Sequence, residues 1–206
     1  MLLKIHQQNP VSRNLHTVVK CLQDGGVIIC PTDTIYGIGC DIYNHDAVER
    51  VCRIKGIRPE ETNFSFICYD FSHLSDFTKQ IDNNVFRVMR KALPGPFTFV
   101  LKANSNVPKL FKSKKKTVGI RIPDNTICRA VVKEFGHPIV TTSVHSEDKI
   151  EFYMTDPELI HEKYSKLVDI VIDGGAGHNT HSTVIDCSDG HFNIMREGAG
   201  DINKYL

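Results

Sequence analysis

Short β-branched runs alternate with amphipathic helical stretches along the whole of this 206-residue chain, and no other feature constrains its fold as strongly. Val27-Ile28-Ile29, Phe64 to Tyr69, Phe97 to Leu101, Thr117 to Pro123, Pro138 to Ser143 and Val168 to Asp173 have the length and branching of strands. Between them, apolar residues recur at helical spacing. Leu15, Val18, Val19 and Leu22 predict a helix over about 13–23, capped by Ser12 and stopped at Asp24-Gly25-Gly26. Val48, Val51, Cys52 and Ile54 predict another, capped by Asn44 or Asp46. Further helices are expected from Asn83 to Leu93, from Asn125 to about Phe135, and near Asp156 to Lys163. Leu2 to His6 reads as a first edge strand. Ser182–Cys187 and His191–Arg196 read as a hairpin closed over Ser188-Asp189-Gly190. Elements interleaved in this way build an α/β fold: a single domain over residues 1–206, with a twisted mixed β-sheet and flanking helices.

The densest stretch is Cys30-Pro31-Thr32-Asp33-Thr34-Ile35-Tyr36-Gly37-Ile38-Gly39-Cys40. Pro31 ends the preceding ladder because proline carries no N–H. Hydroxyls and a carboxylate then crowd into Thr32 to Tyr36, and Gly37 and Gly39 let backbone approach backbone or ligand. Ile35 to Cys40 is expected to form the next strand. The stretch fits either a polar connection between strands or one wall of a binding cleft, and residues elsewhere must decide.

No apolar run approaches the ~20 residues of a membrane span. The start, Met1-Leu2-Leu3-Lys4-Ile5-His6, turns polar too soon for a signal peptide. Seven cysteines without a Cys-x-x-Cys pair read as reduced, mostly buried thiols of a cytoplasmic protein. The net charge of +1 hides a strong segregation. From Asn83 to Pro123 there is no acidic residue, while ten of the 25 basic ones lie there. A lysine run is often only a solvated face, but a block this one-sided favours an anionic partner, either nucleotide phosphates or a nucleic-acid backbone.

Individual candidates follow from side-chain chemistry. Lys55 and Arg58 sit in Lys55-Gly56-Ile57-Arg58-Pro59, after a helix end. Such cations either complement the helix macrodipole or hold a triphosphate and oppose the charge developing on it. Arg121 ends a strand before a proline, where a planar guanidinium suits a carboxylate clamp or a surface ion pair. Thr141-Thr142-Ser143 and Ser182-Thr183 gather hydroxyls at two more strand ends, and Arg196 is another phosphate candidate. The ten histidines lack zinc-site spacing, so no metal site is predicted. Gly174-Gly175-Ala176-Gly177 lacks the Lys-Ser/Thr of a Walker loop, and Cys30 and Cys40 have no sequence-adjacent base. Chemistry on this chain would rest on positioning and electrostatics.

Together these residues resemble the YrdC/YciO family, whose best-defined members are threonylcarbamoyl-AMP synthases. The resemblance rests on Pro31-Thr32-Asp33-Thr34-x-Tyr36-Gly37-x-Gly39, Lys55-Gly56-Ile57-Arg58-Pro59, Pro94-Gly95-Pro96-Phe97-Thr98-Phe99-Val100-Leu101, Val118-Gly119-Ile120-Arg121-Ile122-Pro123, Thr141-Thr142-Ser143, Ser182-Thr183-Val184-Ile185-Asp186 and Arg196-Glu197-Gly198. These motifs stand in the family's order over nearly the whole chain. The resemblance implies a YrdC-like fold with a concave basic cleft. It implies L-threonine contacts at Thr32, Arg121 and Ser182, and ATP or adenylate contacts at Lys55, Arg58, Thr117, Thr141, Ser143 and Arg196, with Lys55 and Arg58 in the catalytic role. ATP would serve as a substrate with Mg²⁺, beside L-threonine and bicarbonate and without a tightly bound cofactor. The product would feed adenosine modification in tRNA. Double-stranded RNA or tRNA is the implied partner, met by Lys109, Lys112, Lys114, Lys115 and Lys116. Three departures point to the YciO branch: Ser143-Val144-His145 in place of Ser-x-Asn, the extra Ile57 in the basic loop, and Asn63-Phe64-Ser65-Phe66 after it. For that branch the alternative is a non-catalytic RNA-binding protein.

Overall fold

Val27, Ile28, Ile29 and Cys30 are all buried, although successive side chains of a strand point to opposite faces. Such a strand needs cover above and below it, and the chain supplies helices on both sides. The computed structural model of the chain describes residues 1–58, 64–108, 111, 116–144 and 155–206. Among them the elements run β1 (Leu2–Lys4), α1 (Ser12–Gln23), β2 (Ile28–Cys30), β3 (Gly37–Asp41), α2 (His45–Lys55), β4 (Ser65–Ile67), α3 (Leu74–Phe77), α4 (Asn83–Ala92) and β5 (Phe97–Lys102). Then come β6 (Thr117–Arg121), α5 (Thr126–Phe135), β7 (Ile139–Ser143), α6 (Pro157–Tyr164), β8 (Ile170–Asp173), β9 (Thr183–Asp186) and β10 (Asn193–Arg196). The expected interleaved, mixed α/β fold is what forms.

The ten strands make one sheet in the order β1-β8-β2-β3-β7-β4-β6-β5-β9-β10. The sheet is mixed: β1 with β8, β8 with β2, β4 with β6 and β5 with β9 are parallel, and the other pairs, such as β3 with β7 and β5 with β6, are antiparallel. On one face Ile28, Cys30, Ile67, Ile139, Ile170 and Ile172 pack against Leu15, Val18, Val19 and Leu22 of α1 and Ile127, Val131, Val132 and Phe135 of α5. On the other, Ile29, Ile38, Phe66, Phe97, Phe99 and Ile120 share a cluster with buried residues of α2, α4 and α6. No helix of the described residues is long and apolar enough to cross a membrane.

Most helix starts agree with the sequence. Asn44, Asn125 and Asp156 accept hydrogen bonds from first-turn N–H groups, at Ala47, Cys128 and Glu158. Asp82 caps α4 in the same way. Ser12 is the exception. It lies inside α1, whose cap is Val11 without a side-chain hydrogen bond, because the Val11 carbonyl already accepts from Asn14 and Leu15. Strand β3 also begins later than expected, at Gly37. The Thr32 hydroxyl accepts from the Thr34 N–H and donates to the Ile35 carbonyl, so the chain turns on itself before it can pair.

One consequence positions the site. The register aligns Gly39 with Thr141, Thr141 with Ser65, and Ser65 with Gly119. This row shares the face of Ile28, which pairs with Gly39, and so lies on the side that α1 and α5 cover elsewhere. Over β3, β7, β4 and β6 that face thus changes from isoleucine to glycine, serine and threonine. A sheet face built of small and polar groups leaves room beside backbone and hydroxyls.

Candidate active site

Arg121 ends β6 at the edge of this polar row and is 9% exposed. Its Nη2 donates to Thr32 Oγ1 at 3.1 Å, Thr34 Oγ1 at 2.6 Å and Asp33 Oδ1 at 2.6 Å. The guanidinium is therefore held by the turn after β2, not by the surface ion pair that was the other reading for its position. Burying it beside a single carboxylate costs desolvation, which the charge-assisted bonds offset. The Thr32-Asp33-Thr34 turn has become the wall that fixes Arg121.

Tyr36 braces that wall. Its backbone carbonyl accepts from the Val144 N–H at 3.0 Å. Its buried hydroxyl donates to the Gly175 carbonyl at 2.8 Å and accepts from the Gly174 N–H at 3.3 Å. Burial pushes its phenol pKa well up, so the hydroxyl stays protonated and keeps that donor. Through its carbonyl and its hydroxyl, this one residue ties the 32–36 turn, the chain just after β7 and the loop after β8 together.

At the other end of the row, α2 closes on Gly56 in the left-handed region, with φ 66°. Lys55 Nζ donates to the carbonyl of Ser143 at 2.8 Å and lies 3.4 Å from that of Val144. Lys55 and Ser143, candidates read far apart in sequence, are neighbours. Thr141 is buried in the row, and its hydroxyl reaches toward the Ser65 carbonyl at 3.5 Å. Arg58 is exposed in the loop after Gly56, and Thr117 is half-buried at the start of β6.

A second cationic corner forms where β9 meets β10. The Ser182 hydroxyl lies 3.0 Å from that of Thr98, and both are buried. Arg196 donates to the Ser182 carbonyl from Nε at 3.3 Å and from Nη2 at 3.1 Å. Ser182 and Arg196 are therefore in direct contact, as are Thr32 and Arg121.

The basic segment divides. Arg121 points inward. Arg87, Arg90 and Lys91 are exposed on α4, which packs through Val85, Val88, Met89 and Ala92 into the cluster on the sheet face opposite the polar row. Lys102 and Lys116 are exposed at the ends of β5 and β6, and Lys116 has a positive φ of 53°. Lys109, Lys112, Lys114, Lys115 and His145 lie outside the described residues.

Neither Cys30 nor Cys40 is placed as a ready nucleophile. All seven are free thiols. A hydrogen bond with Cys128, with burial added, raises the pKa of Cys30, and burial raises that of Cys40, so neither is a thiolate at neutral pH. Among the described residues the one grouping of three possible metal ligands, His45, Asp46 and Glu49, is exposed on α2.

Comparison with known proteins shows the family and the fold. The Sua5/YciO/YrdC family model, described as telomere recombination, matches residues 20–198. The chain belongs to that family. It is 40% identical to the YciO protein of Escherichia coli strain K12 over 203 residues, covering 98% of this chain and 97% of that one. The crystal structure of E. coli YciO superposes with a TM-score of 0.91 at 38% identity, over 100% of this chain and 99% of the other. A threonylcarbamoyl-AMP synthase of Vibrio vulnificus is 30% identical over 167 residues, 80% of this chain and 88% of its own. P. abyssi Sua5, in a crystal structure with L-threonine, has the same fold, with a TM-score of 0.87 at 24% identity, over 96% of this chain and 57% of that one.

Sequence reasoning missed Asp33 and the bracing role of Tyr36. The signal for Asp33 was present. A carboxylate between two threonines in a turn flanked by buried strands needs a cation, and Arg121 is a cation of the right kind at a strand end.

Proposed function

We propose that this protein binds ATP and L-threonine along the polar row and joins threonine, bicarbonate and ATP into threonylcarbamoyl-AMP. The observation that carries the reading is Arg121, a buried guanidinium oriented by two threonine hydroxyls at the end of a strand. That arrangement suits a carboxylate better than any other common ligand group. The named synthase among the relatives supports the same assignment.

In this reading Thr32, Arg121 and Ser182 hold threonine. Its amine adds to the carbon of bicarbonate with loss of water, giving a carbamate. A carbamate oxygen then attacks the α-phosphorus of ATP, the bond to the β-phosphate oxygen breaks, and pyrophosphate leaves. Lys55 and Arg58 oppose the charge on the departing pyrophosphate, while Thr117, Thr141, Ser143 and Arg196 position the adenylate. Beside the row, Asp33 is already engaged by Arg121, and Mg²⁺ would be held by the phosphates of ATP. The reaction would run in the cytoplasm, in keeping with the free thiols.

Incubation with ATP, bicarbonate and L-threonine should release pyrophosphate. Both Arg121→Ala and Lys55→Ala should reduce that release at least about a hundredfold, as lost charge stabilisation does elsewhere. No release from the intact protein, with no heat of threonine or ATP binding, would overturn the reading.

A nucleic-acid partner is a second reading, favoured by the acid-free segment from Asn83 to Pro123. Double-stranded RNA or tRNA would lie against exposed Lys102 and Lys116 and the lysines between residues 109 and 115. Lys102→Glu with Lys116→Glu should weaken RNA binding regardless of sequence and reduce the salt slope by about one per lost phosphate contact. Arg87→Glu with Lys91→Glu, on the opposite face, should not. The reverse pattern would move the footprint to α4.

A further inference from the structure

Arg121 and Asp33 form a buried, net-neutral pair, and each keeps hydrogen-bonding capacity that the pair leaves unused. All contacts of the guanidinium among the described residues come from Nη2. Its Nε has no partner there, and neither has Oδ2 of Asp33. Both atoms are shielded from water, where an unmet charged donor or acceptor is costly. The two side chains remain 11% and 10% exposed, so the pair still meets the surface along an edge.

The sign of the charges narrows what can bind. A simple anion would be attracted by Arg121 and repelled by Asp33, and a simple cation would meet the reverse. A ligand with a carboxylate and an ammonium on the same carbon satisfies both. We infer that Asp33 is the specificity residue for the α-amino group: its carboxylate accepts from the ligand's ammonium while Arg121 takes the ligand's carboxylate. The site then takes free α-amino acids and discriminates against hydroxy acids and dicarboxylates. This inference rests on the reading of the row as a threonine site and adds the group that reads the amine.

Calorimetric titration of the intact protein tests it, with L-threonine and with the α-hydroxy acid in which a hydroxyl replaces the amine. The wild type should prefer threonine by about tenfold or more, the worth of one charge-assisted hydrogen bond. In Asp33→Asn the two ligands should bind within about twofold of each other, a change of ratio that a general loosening of the site would not produce. Equal binding of both ligands by the wild type overturns the inference without recourse to any variant. So does an Asn variant that keeps the wild-type ratio, or one that binds threonine more tightly, which would make Asp33 an internal competitor for Arg121. If the wild type binds neither ligand, the threonine reading itself fails and the assignment of Asp33 falls with it.

Discussion

Arg121→Ala should lower the stability of the protein by about 3–5 kcal/mol, the usual cost of removing one partner from a buried ion pair. The loss comes less from the contacts deleted than from what remains. Asp33, with one oxygen unpartnered among the described residues, would lose the Arg121 guanidinium, and the Thr32 and Thr34 hydroxyls would lose a shared donor. Urea denaturation of wild type, Arg121→Ala and the double variant Arg121→Met with Asp33→Leu checks this. The double variant should recover most of the loss, because an apolar pair replaces an ion pair at little net cost. It should recover none of the threonine binding. A single variant as stable as wild type would mean that the pair is solvated in solution and that Arg121 is held by other groups.

Gly39→Ala should be nearly as damaging, at about 3 kcal/mol, for a steric reason. A Cβ at this position would lie 2.5 Å from the Val140 carbonyl oxygen and 2.7 Å from Thr141 Cγ2. A backbone carbonyl in a paired strand cannot rotate away, so β3 and β7 would have to separate where the polar row crosses them. Gly56→Ala provides the comparison. Its Cβ meets no atom of the described residues within 4 Å, and the penalty is that of a left-handed φ of 66°, roughly 1 kcal/mol. Thermal melts of the two variants should separate clearly. Equal shifts would show that β3 and β7 relax apart freely and that Gly39 is not a packing requirement.

Much of the fold was legible because its causes are local. Both faces of β2 are apolar in sequence, and both are covered in the structure. Helices α2, α5 and α6 begin at the Asn and Asp residues that a cap requires. The failures were local as well, and small. Residue type favours Ser12 as the cap, yet Val11 supplies the carbonyl on which α1 starts. The start of β3 moved because the Thr32 hydroxyl competes with the ladder for backbone groups.

The candidate site was legible as a set of single residues and not as partnerships. Thr32, Lys55, Arg121, Ser143, Ser182 and Arg196 could be named from hydroxyls and cations placed at strand and helix ends. Their pairing could not, since Arg121 meets Thr32, Lys55 meets Ser143, and Arg196 meets Ser182 only through strand order and register. Charge segregation along the chain does not record direction. Arg87, Arg90 and Lys91 share an acid-free segment with Arg121, but helical periodicity sends them to the solvent side of α4, on the opposite face of the sheet.

By itself, the sequence determined that this chain is an interleaved α/β protein, because apolar periodicity and capping act over a few residues at a time, and its motifs carried the resemblance to the YrdC/YciO family. Only the tertiary structure decided that Asp33 belongs to Arg121. The two stand 88 positions apart, and β2 and β6 are not neighbours in the sheet. A charge so placed finds its partner through the folding of the whole sheet, and no local pattern records that.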